Sequence, residues 1–154
     1  MTESVLCYAE SLDNPDIDWI ILVEKKQPPW QAGQFNLPGG AIMQNGESPE
    51  KAAARILKWA VGIDAEQDRC EILGTMHGVG HTTHVVRCPF SGPFNISYDG
   101  PERPLLTGLR EALGIGMNLV QEMRVIIPLC IAEEHFQMIV SNDRSFFSYT
   151  LQVS

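Results

Sequence analysis

Apolar and polar positions along this chain follow two periods, and the change from one to the other marks out the elements. The segment "SVLCYAES" (4–11) is the first strand candidate, and "DWIILVEK" (18–25) contains an unbroken apolar run from Trp19 to Val23, which predicts a strand buried on both faces. Between them "LDNPDID" has turn chemistry, and "KKQPPWQAGQ" (25–34) is a loop by its proline and glycine content. Ala52, Ala53, Ile56, Leu57 and Ala60 then recur at helical spacing. Ser48 can cap the exposed N–H groups of that helix, Pro49 suits its first position, and Gly62 suits its end.

"CEILGTMHGVGHTTHVVRCPF" (70–90) predicts two strands in a hairpin around its glycine-rich centre, and "SGPFNISYDGPERP" (91–104) reads as irregular. A second helix is expected within "NLVQEMRVIIPLCIAEE" (118–134), with Pro128 either starting a new turn or kinking it. The ending "HFQMIVSNDRSFFSYTLQV" predicts a further hairpin around Ser141 to Arg144. The sum is an α+β chain with a mixed sheet and about two helices in a three-layer arrangement.

Composition narrows the function. At 154 residues the expectation is a single domain spanning 1–154, large enough to bury its own core. The apolar runs are too short to cross a bilayer, and the N-terminus lacks the basic and apolar regions of a secretory signal. Cys7, Cys70, Cys88 and Cys130 are too widely spaced for zinc or redox motifs and are expected to be reduced thiols in a cytoplasmic protein. A net charge of −8 opposes binding to nucleic acid polymers, whereas a local cluster of donors can still hold a small anion.

The segment "LPGG…GESPEKAAAR…GI" (37–63) resembles the Nudix box, the phosphate-hydrolase signature G-x5-E-x7-R-E-U-x-E-E-x-G-U, in which U is aliphatic. Gly40, Glu47, Arg55, Leu57, Gly62 and Ile63 match it. The resemblance implies a Nudix-like α/β/α sandwich, a nucleoside-diphosphate-type or related phosphorylated small-molecule ligand, and Mg2+ or Mn2+ as cofactor if the site is active. It also implies roles for Glu47 in metal binding and, with Arg55, in catalysis.

The departures bear on activity. Where the family carries three metal-binding glutamates, this chain has Ile56, Trp59 and Ala60, and it has six residues, "AIMQNG", where the family has five. Asn45-Gly46 can absorb the extra residue in a tight turn. Spacing i, i+3, i+4 brings three side chains to one helix face, the arrangement that converges carboxylates on a cation, and here none of the three offers an oxygen. The usual hydrolytic site is therefore expected to be impaired or lost, with Glu47 and Arg55 forming a structural clasp.

Other residues could take the place of the missing carboxylates. His77, His81 and His84 could supply an imidazole, and His84 is taken as the ligand contact. Of the late acids Glu102, Glu111, Glu122, Glu133 and Glu134, Glu102 is the first candidate for a second metal ligand; Glu133 and Glu134 read as an exposed helix end. Trp30, Phe35 and Asn36 lie where the family often approaches a nucleobase, and Gly39 and Gly40 either touch phosphate or permit a tight backbone path. Three readings follow: a nucleotide-recognising protein without rapid hydrolysis, a pyrophosphohydrolase with an altered metal site, or a scaffold that forms homodimers through Trp59 and "FFSYTLQV".

Overall fold

The computed structural model describes residues 2–13, 19–141 and 148–154. Among these residues, nine strands and three α-helices run in the order β1 (Thr2–Ser11), β2 (Trp19–Glu24), β3 (Phe35–Asn36), β4 (Gly39–Ala41), α1 (Pro49–Val61), β5 (Glu71–Gly78), β6 (His81–Phe90), β7 (Arg103–Gly108), α2 (Leu109–Leu113), α3 (Met123–Ile131), β8 (Phe136–Val140) and β9 (Tyr149–Val153). One sheet has six strands in the order β4-β1-β6-β5-β8-β9, and β3-β2-β7 form a second. The larger sheet is mixed, because β1 runs parallel to β6 and β5 parallel to β8 while the other pairs are antiparallel.

Successive residues of β1 point to opposite faces, which separates two cores. Val5, Cys7 and Ala9 pack with Ala52, Ala53, Ile56, Leu57 and Ala60 of α1. Leu6 and Tyr8 join the cluster that holds Met123, Ile126, Ile127 and Cys130 of α3. Helices thus cover both sides of the sheet, and the α+β, α/β/α arrangement expected from the sequence is the one adopted.

Helix α1 begins and ends as its sequence predicts. Ser48 Oγ accepts from Lys51 N–H at 3.1 Å, Pro49 opens the first turn, and Gly62 closes the helix with φ 72°. Gly62 also sits beneath the ring of Tyr98, whose hydroxyl donates to the carbonyl oxygens of Lys58 and Trp59, each at 3.2 Å. A Cβ at position 62 would fall 2.6 Å from Tyr98 Cδ2. Gly62→Ala is therefore expected to destabilise the protein by about 1–3 kcal/mol, from left-handed strain together with the displaced tyrosine. Urea unfolding checks this, and an unchanged midpoint would count against the assigned cap.

Several elements differ from the sequence reading. The run at β2 is buried from Ile20 to Val23, but Trp19 is 55% exposed because it begins the strand at the sheet's end. Strand β7 starts inside the segment read as irregular; it lies at the edge of the smaller sheet, where a proline such as Pro104 is tolerated. Helix α3 continues through Pro128 as one element. The hairpins β5–β6 and β8–β9 form as expected, whereas residues 14–18 of the expected turn at 12–18 and residues 142–144 of the expected tip at 141–144 lie outside the described residues.

Candidate functional site

The segment from β4 into α1 folds so that Glu47 and Arg55 meet. Gly46 adopts φ 85°, which absorbs the extra residue, and Glu47 then turns inward ahead of the helix. Its Oε2 accepts from Arg55 Nε at 2.8 Å, and its Oε1 accepts from Arg55 Nη2 at 2.9 Å and from Met43 N–H at 3.0 Å. Arg55 Nη2 also donates to the carbonyl oxygen of Ala41 at 2.9 Å. The Glu47 side chain is 6% exposed, and the charge-assisted bonds from Arg55 hold its carboxyl at a pKa of about 2, outweighing the opposing effect of burial.

These residues do not suit a divalent cation. Three hydrogen bonds occupy most of the lone pairs of the Glu47 carboxylate, and a dication brought to it would face the Arg55 guanidinium. Ile56 and Ala60 are 1% and 2% exposed and lie in the core, while Trp59 is 57% exposed on the shoulder of the helix. The three positions therefore divide between core and solvent. Among the described residues no three His, Cys, Asp or Glu side chains converge as a metal site would require.

A cleft of about 520 Å³, within the range of small-molecule sites, reaches the start of β4 at Gly39 and Gly40, and Glu47 and Arg55 are not among the residues that line it. Trp30, Asn36, Gly39 and Gly40 line it. Trp30 stands 53% exposed at the rim, on the short turn Pro29–Gln31, and Asn36 Oδ1 accepts from Leu37 N–H at 2.8 Å, which orients the side-chain amide. Gly39 has a packing reason as well, since a Cβ there would fall 2.6 Å from the Val5 carbonyl oxygen. Gly40 similarly faces Ile56, whose Cδ1 would be 3.1 Å from an added Cβ.

The other expected contacts lie elsewhere. Phe35 packs against the α3 core, and its ring lies 5.9 Å from the Arg103 guanidinium. His84 projects from the face of β6 opposite the cleft, where its ring nitrogens are 3.3 Å from Thr75 Oγ1 and 3.5 Å from Glu3 Oε1. His77 shares that face and bonds Gln137 at 2.9 Å. Strand alternation thus splits the three histidines, which is why they form no metal triad. Glu102 pairs with Lys25 Nζ and accepts from Lys26 N–H, both at 3.3 Å, and neither contact reaches Glu47.

His81, rather than the expected His84, is the histidine that lines the cleft. Its Nε2 lies 3.2 Å from Ser4 Oγ and 2.9 Å from Thr83 Oγ1, and its Nδ1 lies 2.7 Å from Thr2 Oγ1. The distinguishing signal is the register: His81 and Thr83 share a face of β6, and Ser4 pairs with Thr83 on the neighbouring strand. Glu122, at the start of α3, is the late acid that lines the cleft.

No protein-family model matches the sequence, and no curated protein sequence does. Solved structures do match the fold. The MutT mutator protein of Bacillus halodurans superposes with a TM-score of 0.75 at 16% identity, covering 99% of this chain and 98% of its own. The Nudix domain of Shewanella oneidensis NrtR, complexed with ADP ribose, gives 0.64 at 18% identity over 85% of this chain and 84% of its own. The Bacillus subtilis pyrophosphohydrolase BsRppH, in a mutant form, gives 0.58 at 15% identity over 86% of this chain and 80% of its own. With the sheet order, the box helix and the Glu47–Arg55 clasp already in place, these likenesses establish that the chain has the Nudix fold.

Proposed function

We propose that the cleft recognises a nucleoside-diphosphate-type or related phosphorylated small molecule, and that the usual metal-dependent pyrophosphohydrolase activity is lost. The carrying observation is the state of Glu47: both its oxygens are taken by Arg55 and Met43, beside a helix face with no other carboxylate. A phosphoanhydride hydrolase needs a cation to neutralise developing charge and to orient water, and this clasp supplies no place to hold one. The cleft instead offers an aromatic edge at Trp30, the Asn36 amide, the Lys25 ammonium and the His81–Ser4–Thr83 hydroxyl and imidazole group. Such donors suit the polar portion of a nucleotide, and the NrtR domain of the same fold binds ADP ribose. The free thiols of Cys7, Cys88 and Cys130, all buried, suit a reducing cytoplasm.

Calorimetry with ADP ribose and nucleoside diphosphates tests this. Binding is expected to be the same in chelator as in magnesium, without release of phosphate or mononucleotide. Trp30→Ala and His81→Ala are each expected to weaken it by roughly 2–10-fold, the range of one stacking contact or one hydrogen bond. Failure of every nucleotide to bind at millimolar concentration would overturn the reading. So would manganese-dependent turnover that disappears in Glu47→Gln.

A further inference from the structure

A second cavity, of about 320 Å³, lies at the other end of β1. Ser4 and Leu6 line the cleft, whereas Tyr8 and Glu10 line this cavity, so the two open at successive stretches of one strand. It forms where the end of β1 and the start of β2 meet the end of β6 and the C-terminus of α3. Its walls carry four aromatic side chains, Tyr8, Trp19, Phe90 and Phe94, and two carboxylates, Glu10 and Glu133. Among the described residues that line it there is no lysine, arginine or histidine.

Glu10 is paired with Arg87 Nη1 at 3.0 Å, and Glu71 Oε1, outside the cavity, lies 3.8 Å from both Arg87 Nε and His135 Nε2. Glu133, at the exposed end of α3, adds a second carboxylate to the cavity lining. Trp19, 55% exposed at the mouth, leaves a large aromatic surface open to a ligand.

Glu133 occupies a backbone position that glycine ordinarily takes. Helix α3 ends with Glu133 N–H donating to the Cys130 carbonyl oxygen and Glu134 N–H to that of Leu129, each at 3.0 Å. This is the cap whose left-handed position favours glycine, and Glu133 holds it with φ 54°. A glycine would sit there without strain but would remove the carboxylate from the cavity wall.

We propose that this cavity binds a small organic cation of the alkylammonium class, with the aromatic side chains taking its apolar, positively charged surface and Glu10 and Glu133 complementing its charge. Cations are drawn to the faces of aromatic rings, most strongly tryptophan, and more so where water is partly excluded. The size of the cavity suits a small molecule. The inference is independent of the nucleotide reading, since it uses none of the residues of the cleft.

The test is calorimetry of the intact protein with choline chloride and with its neutral carbon isostere, 3,3-dimethyl-1-butanol. Choline is expected to bind at least roughly tenfold more tightly than the isostere and to weaken as salt rises. Glu133→Gly is expected to lower choline affinity roughly tenfold while leaving the melting temperature unchanged or higher, and Trp19→Leu to lower it by a similar factor. Equal binding of choline and isostere would overturn the proposal. It would equally fall if choline failed to bind, or if Glu133→Gly left its affinity unchanged.

Discussion

Ile56→Glu, which restores one of the family's metal-binding glutamates, is expected to unfold the protein rather than activate it. Ile56 is 1% exposed and packs with Val5, Cys7, Val86 and the alanines of its own helix. The substitution loses the burial of a large aliphatic side chain, worth about 2–5 kcal/mol, and adds a carboxyl group with no partner in an apolar layer. Together these should exceed about 4 kcal/mol, a large share of the roughly 5–15 kcal/mol by which domains are stable. Urea unfolding measures the first consequence, and phosphate release in manganese the second. A well-folded variant with a nearly unchanged midpoint would mean that position 56 has a path to water or to a cation, and the proposed loss of the metal site would fail.

Arg55→Met produces the second large effect, because it leaves the Glu47 carboxylate almost buried beside a single remaining donor, Met43 N–H. Removing one partner of a fully buried pair costs about 3–5 kcal/mol, but the Arg55 side chain is 38% exposed and solvent screens part of that. A loss of about 2–3 kcal/mol at neutral pH is expected, and Arg55→Met combined with Glu47→Gln should regain much of it, since no charge is then stranded. The pair also sets a pH dependence. Glu47 has a folded pKa of about 2, below its ordinary value of 4.5, so its contribution is complete above about pH 4.5 and is lost as pH falls toward 2. Subtracting the urea midpoints of Glu47→Gln from those of the unsubstituted protein across that window isolates the effect. A difference that stays constant down to pH 2 would show that Arg55 does not depress the carboxyl as the geometry requires.

Some of the site was legible in the sequence because it depends on neighbours along the chain. Glu47 and Arg55 are eight residues apart, on the approach to a helix and its second turn, so their clasp follows from the helix start at Ser48-Pro49. The absence of oxygens at 56, 59 and 60 is a matter of residue identity. Which histidine enters the cleft depends instead on strand register: a shift of one residue would exchange His81 for His84, and nothing in "HGVGHTTH" fixes that register against β1. Glu102 has a loop setting that suits a recruited acid, but the ends of β2 and β7 bring it to Lys25, leaving Glu122 to face the cleft.

By itself the sequence determined the box helix with both its caps, the two hairpins, the buried run of β2 and the absence of oxygen-bearing side chains at 56, 59 and 60, because each rests on local periodicity, turn chemistry or the identity of a side chain. Tertiary structure alone decided that β7 forms, since a segment rich in proline becomes a strand only when β2 offers it an edge. It also decided that Trp19 and Trp59 face solvent, that His81 rather than His84 borders the cleft, and that a second cavity opens where β1, β6 and α3 end. These depend on contacts between residues far apart in the chain, and the free energy that selects them comes from the packing of sheets and helices, which local preference does not encode.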